Sequence, residues 1–458
     1  MNGLSEANVN MKAYRTWYKL NQNTVISVIT LSGISEKAEA GGIMGQGSGG
    51  AALASGLDIA RGVQSYFAGS QDEVSYGRVH SQPQSYHDDI LRVAPDVFSA
   101  RAGNAKLTAM MRERQLTCHP TKTCYLVYGS KQYKEQAKKE LDQEPLMFGD
   151  FQVRPKESDV YLGDTLVAAG GLEASAEATV AKRVARAQGA MFEAKSLVQD
   201  YRLQAIGGME GAWDIWNSGI CPSVLANCGS WVKISKTALG QLEDCQNQYL
   251  RMVCSCPPST PLPALRSQAG MQTMQTRIWR EQICLVAKIL HRTDKNSYCR
   301  QILSEQVCMG WEGLAREAAE ACSKVGLPDV REEDIPREKV KEAVLYFNLA
   351  EVKKEMNSAK YKKLDKIKYL DCRIMQQYMK DKSLEDSRLE FRWLTDMLDT
   401  RTTMPGRYGG RRTCPHCPEG REGGQEESPS HMLICQAYSG LRVREVPLLT
   451  CLLELTWV

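Results

Sequence analysis

Strand-like segments are confined to the first 170 residues of this chain, and that asymmetry limits the fold more than any other feature. Thr24 to Thr30 (TVISVIT) is rich in β-branched residues, which pack well on a pleated surface, and reads as a strand. Cys124 to Tyr128 reads as a second strand ending at Gly129, and Tyr161 to Leu166 as part of a short hairpin. Gln84 to Tyr86 and Ile90 to Val93 are shorter candidates on either side of a turn. The stretch from His80 to Ser85 reads as a polar strand leading into Tyr86, with Pro83 awkward inside it. Helical stretches at Ala51 to Phe67 and Gly103 to Glu113 lie between these strands.

From residue 171 the pattern is helical. Ala174 to Tyr201 is rich in Ala, Glu, Lys and Arg, which are strong helix formers. Pro257, Pro258, Pro261 and Pro263 cannot continue a helix or a central strand, so they mark a linker or elbow. Trp279, Ile283, Val286 and Leu290 recur every three or four residues, which predicts one apolar helix face. The fold class is therefore α+β: a mixed region at 1–170, helical regions at 171–330 and 331–403, and a small tail at 404–458.

The tail carries the most specific chemistry. Cys414, Cys417, His431 and Cys435 form the pattern C-x2-C-x13-H-x3-C. Two close ligand pairs joined by a Gly-, Pro- and Glu-rich stretch suit a tetrahedral Cys3His zinc site. His416 in place of His431 is the alternative, disfavoured by crowding between Cys414 and Cys417.

Two further motifs are ambiguous alone. Tyr86-His87-Asp88-Asp89 places adjacent carboxylates at a turn, where Asp88 and Asp89 can serve as oxygen ligands for Mg²⁺ or form a solvated turn. Gly45, Gly47 and Gly50 fit G-x-G-x-x-G, but the charged loop Ser35 to Ala40 leaves little strand before them, against a dinucleotide site. The other reading is a backbone platform at Gln46-Gly47 that a base or sugar approaches closely.

Charge is unevenly spread. The chain nets +4, yet residues 339–382 carry 12 Lys or Arg and six Asp or Glu, so the rest is slightly acidic. Lys360, Lys362 and Lys363, interleaved with Tyr361, fit phosphate contact with base stacking. A solvated helix face with intrahelical ion pairs explains the same run.

In order along the chain, Gln46-Gly47, Tyr86-His87-Asp88-Asp89, the helix at Gly103 to Glu113, Lys122-Thr123 before the strand Cys124 to Tyr128, and Tyr161-Leu162-Gly163 resemble the reverse transcriptase of non-LTR (LINE-type) retrotransposons. The C-terminal Cys/His pattern is similar to a knuckle in that family. The resemblance implies a partial polymerase palm, then a mainly helical thumb and connection, then a zinc knuckle, with RNA and DNA as partners. It makes Asp88 and Asp89 catalytic magnesium ligands and puts Gln46 and Gly47 against template or nucleotide. Lys122 would lie near the triphosphate, or is an exposed strand-end lysine. The sequence departs from the family upstream of Gln46. The acidic residues there are Glu6, Glu36 and Glu39, and no aspartate precedes Asp58. On the resemblance, the first catalytic aspartate and the fingers are missing. The chain alone is then an inactive RNA-directed DNA polymerase, or a nucleic-acid-binding remnant using the basic segment and the knuckle. A start upstream of Met1 would restore the enzyme.

Sixteen cysteines without a secretory leader predict reduced thiols inside the cell, with nucleus and cytoplasm undecided. No run approaches the length of a membrane span. Oligomeric state is open.

Overall fold

A computed structural model describes residues 24–32, 74–76, 79–81, 84–86, 89–113, 117–161, 163–199, 208–310, 312–358, 375–395, 397, 413–417, 426, 431 and 435–438. The fold is mixed α+β and mostly helical, with small sheets. It divides into two compact units, each assembled from discontinuous stretches.

The first unit comprises residues 1–188, 222–243 and 274–344. Its main sheet is built around strand β1 (Thr24–Ser32), the β-branched segment of the sequence. β1 pairs antiparallel with β5 (Asp89–Ala94) on one side and β7 (Cys124–Tyr128) on the other. Strand β4 (Gln84–Tyr86) adds to β5, and β10 (Arg154–Pro155) runs parallel to β7. The short β6 (Thr117–Cys118) pairs with the far end of β1. His80 to Ser85 is not one strand. Strand β3 (Val79–Ser81) pairs with β2 (Val74–Tyr76) in a separate ribbon, while β4 begins at Gln84. Pro83, which has no N–H to donate, falls between the two.

Helix α1 (Val97–Glu113) packs on the sheet, burying Val97, Ala100, Leu107, Met110 and Met111 with Ile90 and Ala94 of β5. Residues 90, 92 and 94 alternate with 91 and 93 along the strand, so Ile90, Arg92 and Ala94 share the helix-facing side. Leu91 and Val93 are buried as well, which means both faces of β5 are covered. Helix α2 (Lys131–Gln143) follows β7, with the Ser130 hydroxyl accepting from the Tyr133 N–H at its first turn.

Strands β11 (Ser158–Tyr161) and β12 (Asp164–Val167) form the hairpin expected around Tyr161. Gly163 supplies a positive φ of 83° at its tip. Asp164 accepts from Arg183 of helix α3 (Gly171–Gln199) at 2.7 Å, and both are buried. The Arg183 guanidinium also lies 5.2 Å from the centre of the Trp231 ring. The helix Met274–Ala287 buries Ile278, Ile283 and Val286. Trp279 was expected on that face but is only half-buried, under the Lys324 ammonium at 4.9 Å.

The second unit comprises residues 189–221, 244–273 and 345–458. Trp213 and Trp216 pack on Tyr249, with ring centres 6.4 and 5.1 Å away, and the Tyr249 hydroxyl donates to the Ala212 carbonyl. Ala264, Val352 and Met356 form a second cluster, with Leu349 and Leu394 against it. None of the described cysteines is joined in a disulfide. Among the described residues, no helix is long and apolar enough to cross a membrane.

Candidate metal centre and the aspartate hairpin

Cys414 and Cys417 sit on one turn and His431 and Cys435 on another, each pair close enough in sequence to converge locally. The Cys435 N–H donates to the His431 carbonyl at 2.8 Å, which closes the second turn, and Thr413 and Glu426 form an isolated bridge. The four donor atoms lie within 4.8 Å of one another. Cys414 Sγ and Cys417 Sγ are each 3.9 Å from Cys435 Sγ, and Cys417 Sγ is 3.3 Å from His431 Nε2. A tetrahedral zinc with sulfur bonds of about 2.3 Å separates its sulfurs by about 3.8 Å, so the spacing fits such an ion. Cys414, His431 and Cys435 are buried and Cys417 is half-buried. Desolvation, then hydrogen bonding of the Cys417 thiol to Cys435 and Cys414 and the repulsion of their thiolates, raises its pKa. A divalent cation reverses that balance by stabilising the thiolates. His416 is exposed and outside the group, whereas His431 is within it.

The other sequence candidates are less gathered. Gln46, Gly47, Asp88, Lys360, Lys362 and Lys363 lie outside the described residues. Asp89 opens β5, where it pairs with Tyr86 of β4 and with Thr30 of β1. The Tyr86 and Asp89 strands therefore form a hairpin, as the sequence predicted. No residue of β1 is acidic, so the strand beside Asp89 adds no carboxylate to it. Lys122 stands exposed in a turn two residues before β7, its N–H donating to the His119 carbonyl at 3.2 Å.

The first described part of the basic segment, residues 339–356, lies on a helix with two intrahelical ion pairs. Within α11 (Arg337–Met356), Lys341 lies 3.8 Å from Glu338 and Lys354 lies 3.6 Å from Glu351. These i,i+3 pairs match the solvated-face reading for that portion.

No family model matches the chain, and no curated protein matches it.

Proposed function

We propose that this chain is a nucleic-acid-binding protein derived from the reverse transcriptase of non-LTR retrotransposons, held in its C-terminal part by a Cys3His zinc knuckle. The observation that carries the reading is the convergence of Cys414, Cys417, His431 and Cys435 with sulfur spacings suited to zinc. A closed four-ligand site leaves no position for substrate, so its work is structural: it folds a short segment that cannot build its own core.

Templated DNA synthesis is the second reading, favoured by the Tyr86–Asp89 hairpin at the edge of the β1–β5 pair. Against it stands the register, which puts Thr30 rather than a carboxylate opposite Asp89. Two-metal transfer needs carboxylates that fix both ions, and a neutral hydroxyl does not replace one. Asp88 and Asp89 as magnesium ligands rest on the resemblance.

The test uses the purified full chain with a single-stranded RNA or DNA oligonucleotide and a primed template. Salt-sensitive binding that falls when Cys417→Ser releases the metal, without primer extension, is the expected result. Extension abolished by Asp89→Ala would replace the first reading with the second, and no binding at any salt would remove it.

A further inference from the structure

The four donors of the Cys/His cluster are not equally covered. Cys414, His431 and Cys435 are 5%, 6% and 5% exposed, whereas Cys417 is only half-buried. Pro415 and His416, the residues between the first pair, are exposed as well, so the turn that carries Cys417 is the outer wall of the cluster. The second turn is the protected one, closed by the Cys435 N–H on the His431 carbonyl. A small solute arriving from water therefore meets the Cys417 sulfur before it meets any other donor.

A second thiol stands within reach of that sulfur. Cys417 Sγ lies 3.9 Å from Cys435 Sγ. The sulfurs of a disulfide are about 2.05 Å apart, so the two would have to close by about 1.9 Å. Cys414 Sγ is also 3.9 Å from Cys435 Sγ, but both members of that pair are buried. Exposure alone does not single out Cys417, because Cys308 on the helix Tyr298–Met309 is exposed too. Among the described residues, Cys308 belongs to no metal-binding group. A zinc ion bound by the cluster holds its cysteines as thiolates, the form that reacts with oxidants, whereas an ordinary thiol is mostly protonated at neutral pH.

We propose that Cys417 is a site of two-electron oxidation by peroxides, with Cys435 as the thiol that resolves it into a disulfide. The Cys417 thiolate attacks one oxygen of hydrogen peroxide, which forms the S–O bond of a sulfenic acid, breaks the O–O bond and releases hydroxide. The Cys435 thiolate then attacks the Cys417 sulfur, which forms the S–S bond and expels the second hydroxide. Each hydroxide takes a proton from solvent, so two thiolates, one peroxide and two protons give one disulfide and two waters. The two electrons lost by the sulfurs reduce the peroxide oxygens. Only Cys414 and His431 then remain as donors, too few for a four-coordinate structural site, and the metal leaves as a divalent ion. The inference rests on the zinc-knuckle reading above and adds that the same site senses oxidant.

The test treats the full zinc-loaded chain with hydrogen peroxide and follows released zinc with a chromogenic chelator. Free thiols are then alkylated and disulfides located by peptide mass mapping. The expected result is about one zinc released for each Cys417–Cys435 disulfide formed, with zinc rebinding after reduction by dithiothreitol. Cys308→Ser should leave the release unchanged. Cys417→His, which keeps a ligand at that position, should hold zinc and lose most of the peroxide-driven release. If that variant holds no zinc, the disulfide map of the wild-type chain decides alone. A disulfide between Cys414 and Cys417 or between Cys414 and Cys435, or zinc that stays bound while Cys308 is oxidised, overturns the inference and leaves the zinc-knuckle reading standing. A chain that holds no zinc before peroxide is added removes both.

Discussion

Gly103 is where one methyl group tests the packing behind the aspartate hairpin. Arg92 leaves β5 three residues after Asp89 and lies across α1, donating from Nη1 to the Ala100 carbonyl at 3.1 Å and from Nη2 to the Ser99 carbonyl at 2.9 Å. A Cβ on Gly103 would meet Arg92 Nη2 at 1.6 Å and Cζ at 1.8 Å. The guanidinium of a residue only 4% exposed would have to leave its place. Each hydrogen bond of a charged group is worth about 1.5–3 kcal/mol, and two would be lost. Against this, alanine in a helix interior gains about 0.5–1 kcal/mol over glycine. The balance is a net loss of about 2–5 kcal/mol for Gly103→Ala. Urea unfolding, with hydrogen exchange of the amides in 97–113 as the local readout, measures it. Arg92→Met combined with Gly103→Ala should recover part of the loss, because the steric conflict goes with the guanidinium. If Gly103→Ala alone stabilises the protein, helix propensity has won and the packing argument is wrong.

Other outcomes follow from single contacts. Metal analysis of protein produced with zinc should find about one ion per chain, falling to near zero in Cys417→Ser; zinc-free wild-type protein would refute the site. Asp164→Ala strands the buried Arg183 charge and should cost about 3–5 kcal/mol by denaturant unfolding, whereas replacing both partners with leucine and methionine should cost far less. Burial raises the pKa of Glu317, which accepts the Lys233 N–H at 2.6 Å and the Gln282 amide at 3.3 Å. Its contribution to stability is then complete below the unfolded carboxylate range and is lost as pH rises through the raised folded value. Glu317→Gln should therefore gain on the wild type as pH rises above the ordinary carboxylate range, and melting curves whose gap stays constant with pH would contradict this.

Local features were legible because their causes are local. The ligand pairs Cys414–Cys417 and His431–Cys435 each close within a few residues, so their spacing alone pointed to a four-donor site. The β-branched run at Thr24, the strand at Cys124 and the Gly163 hairpin follow from side-chain shape and glycine's freedom at positive φ. Trp279 shows the limit of periodicity. The three-to-four spacing placed it on the buried face, but Ile278 turned inward and left the indole under Lys324.

Tertiary structure decided what depends on distant partners. Pairing register is set by which strands meet, and it put Thr30 beside Asp89, a pairing that neither segment announces. Arg92 over Gly103 joins a strand to a helix face, and no pattern in either segment announces it. Arg388 and Val253 are 135 residues apart along the chain, yet the Arg388 Nε donates to the Val253 carbonyl at 2.8 Å. The physical reason is one of range. Propensity, turn chemistry and close ligand spacing act over a few residues, whereas strand register and close backbone approach exist only once packing has chosen the neighbours.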